Sequence, residues 1–139
     1  MRTLTPMPMP AQRPLLVRLK PVLRTVLAVG MMAIGLRHFT HPEPFVRIVP
    51  SFLPDPALLV YVSGVAEILG GLGLLFPLTR RWAAFGLVAL YVAVFPANIN
   101  MAVNHIALVP GQPIADGLLW ARLPLQGVLI AWAWWYTRP

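Results

Sequence analysis

Residues 58–76 read LLVYVSGVAEILGGLGLLF, a run interrupted by one charge, Glu67. It has none of the in-out alternation of a barrel strand, so it can cross a bilayer with its backbone satisfied only as a helix. About 20 apolar residues rising about 1.5 Å each suffice for a hydrocarbon core about 30 Å thick. Taken with its flanks, the run is a span over residues 57–77, and three further segments qualify, at 22–39, 82–103 and 117–136. The expected class is all-α transmembrane, a four-helix bundle with a Pro-rich outer loop between helices 1 and 2.

The composition agrees. Of 139 residues 58% are hydrophobic and 11% charged, which rules out a soluble globular fold. The net charge of +7 invites a nucleic-acid reading, but the cations flank apolar runs and form no basic stripe interleaved with stacking aromatics. No nucleic-acid partner is expected. With no cysteine, the chain itself carries no disulfide relay, thiolate metal site or iron–sulfur cluster.

Cations set the expected orientation. Arg2, Arg13, Arg18, Lys20, Arg24, Arg80, Arg81 and Arg138 fall on one side, and Arg37 and Arg47 on the other. Both termini are therefore placed in the cytoplasm, and Trp82, Trp132, Trp134, Trp135 and Tyr136 form an inner aromatic belt. Residues 1–21, Pro-rich with scattered Arg, read as a disordered cytoplasmic tail ahead of a membrane domain over 22–139. A signal peptide is the competing reading, with Ala33-Ile34-Gly35 as a small-residue cleavage site. The first outer loop, HPEPFVRIVPSFLPDP, holds prolines too dense for a long helix, yet its Phe45, Ile48, Val49, Phe52 and Leu53 prefer an apolar setting. It reads as a lid over the outer mouth, or as a plug with no gating role.

The candidate site begins with Glu67, about 15 Å from either surface by helical rise. A central charge costs about 2.5 to 3.5 kcal/mol on insertion scales, so Glu67 must be protonated, paired or turned toward water inside the bundle. Ser63, Gly64, Gly70 and Gly71 share its helical face and permit close helix approach. Arg122 is the natural partner, roughly 8 Å nearer the outer surface, and Gln126 lies one turn deeper than Arg122 on the same face. A purely structural salt bridge fixing helix register accounts for the same pair. Pro96 predicts a kink or an early end to the third span, with one of Asn98 and Asn100 facing the bundle and the other satisfying a carbonyl the proline frees. Asn104 reads as an interfacial cap. The result is a polar chamber of Glu67, Asn98, Asn100, Arg122 and Gln126, with Arg37 and His38 at its mouth. Glu67 is the candidate proton relay. His38, His41 and His105, with Glu43 and Asp116, lack metal-ligand spacing, so no metal site is expected.

One stretch resembles a known family: Gly35-Leu36-Arg37-His38-Phe39 closing the first span, Phe45 and Pro50 in the loop, then Glu67-Ile68-Leu69-Gly70-Gly71-Leu72-Gly73-Leu74-Leu75 followed by Thr79-Arg80-Arg81 and Ala83-Ala84. This pattern resembles the DoxX family over most of residues 22–136. The resemblance implies a four-helix membrane protein related to membrane subunits of thiosulfate:quinone oxidoreductase and to partners of membrane oxidoreductase complexes. With no thiol to carry sulfur, the thiosulfate reaction does not transfer.

Three functions compete. In the first, the chain is a redox-associated membrane subunit in a bacterial plasma membrane. It binds a quinone-like or other lipophilic molecule in the chamber, with Glu67 relaying protons, Arg122 anchoring a carbonyl or anion, and electrons coming from a partner oxidoreductase. No cofactor is intrinsic to the chain. In the second, it is a non-catalytic assembly factor or scaffold whose small-residue face and apolar lid grip another membrane protein. Proton-coupled transport is the third, and with a single midplane acid it would call for a homo-oligomer.

Overall fold

The computed structural model describes residues 14–138, and the described chain is all-helical apart from a single bridge between Val109 and Gln112. Helices α1 (Leu15–Thr40), α3 (Pro56–Leu75), α4 (Arg80–Val103) and α5 (Asp116–Trp135) are long, and α2 (Glu43–Ile48) is a short helix between α1 and α3. Three of them, α1, α3 and α4, are long and apolar enough to cross a membrane. Their outer faces carry exposed apolar side chains such as Val29, Leu36, Val62, Leu69 and Val92. Such faces suit hydrocarbon and not water.

The first helix differs from expectation. It begins at Leu15, so residues 15–21 are helical and only 1–13 of the expected tail lie outside the described residues. Pro14 precedes the helix, where a missing N–H costs nothing, and Pro21 sits early enough in it that one lost ladder bond leaves the rest intact. The segment between α1 and α3 also uses its prolines constructively. Pro42 precedes α2 and Pro44 occupies its first turn, both positions that need no backbone donor. Asp55 then caps α3, its side chain accepting from Leu58 N at 3.2 Å, with Pro56 as the first helical residue.

α1 packs along α3, α3 along α4 and α4 along α5, while α2 rests on α3 and α4. The α1–α3 contact decides the register. Buried residues recur at alternating steps of three and four, through Ala28, Met31, Gly35 and His38 on α1 and through Val60, Gly64, Glu67, Gly71 and Leu74 on α3. At two points backbones nearly touch: a Cβ on Gly35 would stand 2.7 Å from the Gly64 carbonyl oxygen, and one on Gly71 would stand 2.6 Å from the Ala28 carbonyl oxygen. Only glycine fits at either.

At the end where α1 begins and α5 finishes, here the basal end, Tyr136 Oη donates to the Lys20 carbonyl at 3.2 Å and accepts from Trp132 Nε1 at 3.2 Å. One core, centred on Leu27, Met31, Leu74 and Leu87, lies toward this end, and a second, of Ile48, Met101, Ala102 and Leu119, lies beneath α2. Between them α1 and α5 stand apart.

Candidate functional site

The gap between the two cores is a cavity of about 920 Å³. Its walls are mostly aliphatic, from Leu27, Ile34, Val94 and Leu129 among others, and its roof is the α2 segment, through Phe45, Ile48 and Leu53. Polar groups enter from all four long helices: His38 from α1, Ser63 and Glu67 from α3, Asn98 from α4, and Arg122 and Gln126 from α5.

Glu67 meets a partner that helix-depth reasoning does not select. His38 Nδ1 lies 3.4 Å from Glu67 Oε2, and the two side chains are 8% and 10% exposed. Antiparallel packing brings them together. Side chains lean toward the N-terminus of their own helix. His38, one turn past Gly35, leans back toward the crossing, and Glu67, one turn past Gly64, leans back from the other side. The imidazole is held firmly. Nδ1–H donates to the Val60 carbonyl at 3.1 Å, and the Ser63 hydroxyl, 3.1 Å from the same nitrogen, donates its own hydrogen to that carbonyl at 2.8 Å. A carbonyl only accepts, so the ring proton sits on Nδ1. Phe45 of α2 packs edge-on against the ring, with centroids 4.0 Å apart. Glu67 Oε2 is buried and forms no hydrogen bond among the described residues.

A second polar unit stands across the cavity. Asn98 donates to Gln126 Oε1, and Gln126 Nε2 donates to the Tyr91 carbonyl. α4 continues through Pro96 to Val103 instead of ending there. The proline weakens the ladder in the turn before it. The carbonyl served there belongs to Tyr91, and it is served by Gln126 and by neither asparagine. Tyr91 Oη donates to Met31 Sδ at 2.9 Å and thereby ties α4 to α1.

Four other expectations change. Arg122 lines the cavity but forms no ion pair among the described residues, so the expected Glu67–Arg122 pair gives way to Glu67–His38. The register set by the glycines places His38, not Arg122, over the carboxyl. For the same reason His38 is buried and does not stand at the mouth. Arg37 is exposed on the opposite face of α1 and lies outside the cavity lining. Asn100 leaves the chamber to donate to the Ile48 carbonyl at 2.9 Å, which pins the end of α2. The remaining histidines stay apart, His41 on Thr40 and His105 on Asp116 at 2.9 Å.

The cavity opens sideways. Val26 and Ile34 of α1 and Leu125 of α5 line it, yet are 55%, 44% and 55% exposed. Between them a Cβ on Gly30 would meet nothing within 4 Å. A seam between α1 and α5 thus joins the interior to the surroundings.

Sequence reasoning did not select Tyr91 or Trp132, which also line the cavity. No spacing marks Tyr91, since the carbonyl that Pro96 leaves without a ladder donor, four residues back, is that of Val92. A family model described as a domain of unknown function (DUF8561) matches residues 27–137, from within α1 to just beyond α5. No curated protein and no solved structure matches the chain.

Proposed function

Because the chain belongs to the family of DUF8561 domains, whose description assigns no activity, we propose a function from the cavity itself: binding of a lipophilic molecule with a hydrogen-bonding head, of the quinone class or close to it. The observation that carries this reading is an apolar space of about 920 Å³ with its polar groups gathered around Glu67–His38 on one side and Gln126–Asn98 on the other. Ligand sites have this size and this division between apolar wall and few polar anchors.

In this reading α5 is the fourth span of a DoxX-like bundle. It is more polar than the others because Arg122 and Gln126 turn inward, where a membrane helix tolerates them. The termini are cytoplasmic, and the membrane is a bacterial plasma membrane. The protein is a redox-associated subunit, with electrons supplied by a partner oxidoreductase.

The residues fit a quinone-type head group. Arg122 has donors not committed to any acid among the described residues and can hold a carbonyl or anionic oxygen. Gln126 and Asn98 fix each other and so offer a preorganised polar wall. Once the imidazole takes up a proton at Nε2 it can release the one on Nδ1 toward Glu67 Oε2, 3.4 Å away, so that ring and carboxyl together carry one proton across, with Val60 and Ser63 keeping the imidazole oriented. A bound quinone would supply two-electron, two-proton redox chemistry.

The test is mass spectrometry of the organic extract from protein purified in mild detergent, comparing wild type with a Glu67→Gln, Arg122→Ala double variant at equal yield. A defined lipophile recovered from wild type alone supports the reading. Equal bulk phospholipid in both overturns it in favour of a scaffold. The scaffold reading has lost part of its basis, because Gly64 and Gly71, the small residues that would grip a partner, already pack against α1.

A further inference from the structure

A second polar centre lies at the basal end, with Leu27 and Trp132 between it and Glu67. The α1–α3 register that sets Ala28 against Gly71 places Arg24, one turn earlier, beside the last turn of α3. From the other side Arg80, the first residue of α4, donates from Nε to the Leu74 carbonyl at 3.4 Å. Both arginines thus come to the C-terminal turn of α3, Arg24 from α1 and Arg80 from α4. Lys20 stands nearby, its ammonium 5.5 Å from the Trp135 ring centroid and its carbonyl accepting from Tyr136 Oη.

Nothing within the described chain balances this charge. The four acidic residues are Glu43, Asp55, Glu67 and Asp116. Glu67 faces His38, Asp116 faces His105, Asp55 caps α3 and Glu43 begins α2. The terminal carbonyls of α3 supply only about half a negative charge against two full positive ones. Arg24 Nε is buried and has no acceptor among the described residues. The start of α4 is itself short of an acceptor: the Thr79 hydroxyl donates away to the Gly73 carbonyl at 2.9 Å, no side chain caps the helix, and its first turn holds no acid. Unpaired guanidinium groups beside an uncapped helix N-terminus are the setting in which phosphate binds.

We propose that Arg24 and Arg80, with the Arg81 and Trp82 amides in the first turn of α4 and Lys20 at the edge, hold the phosphate of an anionic phospholipid headgroup. A lipid is the source the surroundings favour. The site lies where the apolar helices end, beside Trp135 and near the 74% exposed Trp82, an arrangement typical of the headgroup layer.

The test is native mass spectrometry of the full chain in mild detergent, titrated with phosphatidylglycerol or with phosphatidylcholine of the same acyl chains, with and without inorganic phosphate. The expected result is a preference for phosphatidylglycerol of roughly tenfold or more, falling about fivefold in Arg24→Gln and in Arg80→Gln. Arg24→Lys should keep most of the preference, and Arg47→Gln, on α2, all of it. Equal uptake of the two lipids overturns the proposal, as does a preference unchanged in both glutamine variants. Displacement of phosphatidylglycerol by millimolar inorganic phosphate overturns the lipid assignment in favour of a free-phosphate site. If Arg24→Gln does not fold, the wild-type lipid ratio and Arg80→Gln decide the matter.

Discussion

Glycines in this chain divide by what stands beside them. Gly35 faces the Gly64 backbone at a distance that no Cβ tolerates, whereas Gly86 on α4 faces open space. Gly35→Val should therefore force α1 from α3 and destabilise the protein by about 1 to 3 kcal/mol or more. Gly86→Ala, by contrast, should leave stability unchanged or raise it by about 0.5 to 1 kcal/mol. Thermal melts in detergent followed by circular dichroism would check both, and equal effects would mean that the close approach is not what holds the pair together. The same contact explains why Glu67 was legible as a buried functional candidate while its partner was not. A lone acid within an apolar run stands out from hydropathy. Its neighbour depends on which turn of α1 lies opposite, and that is fixed by two glycines 29 positions apart in the chain. Depth counted along single helices favours Arg122, and the tilt of side chains in an antiparallel pair favours His38.

At the scale of elements, α3, α4 and α5 begin and end within two residues of where hydropathy, prolines and charges put them, because those signals are local. The start of α1 was not legible in the same way. A Pro-rich segment reads as extended, and packing of the following turns keeps residues 15–21 helical despite Pro21. α2 shows the complementary case, a proline cluster that supplies a helix start. Its attachment through Asn100 to the Ile48 carbonyl makes a specific prediction. Asn100→Ala should loosen residues 43–55 at a cost of about 1 kcal/mol while leaving the long helices intact. Hydrogen exchange would register this as faster exchange confined to that segment, and uniform acceleration across α1 and α3 would contradict it. That Asn98 and Gln126 share one chamber was legible, because each is a polar residue within a span; their direct hydrogen bond, and the choice of Asn98 as the asparagine turned inward, were not. The destination of Asn100 was not, since it depends on where a short irregular segment comes to rest.

For the whole molecule, the decisive question is how many times the chain crosses. Since there is no native cysteine, single substitutions report cleanly. Phe52→Cys and Gln112→Cys lie toward the α2 end and Leu78→Cys toward the basal end, and all three positions are exposed. An impermeant maleimide should label the first two from one side of sealed vesicles and the third from the other. Labelling of all three from one side would rule out spanning by both α3 and α4. The seam between α1 and α5 can be probed as directly. Gly30→Phe places a ring where the structure has open space, and it should abolish recovery of a bound lipophile without lowering the melting temperature. Undiminished recovery would mean that the seam is not the route in.

Along that seam the cavity has no wall of polypeptide, so whatever surrounds the protein completes it. The volume available to a guest is then shared between protein and acyl chains, and it shifts with their length and order. A guest arriving this way is counted by its mole fraction in the bilayer and not by its molarity in water. Occupancy should accordingly follow the ratio of guest to lipid and stay constant when the whole suspension is diluted.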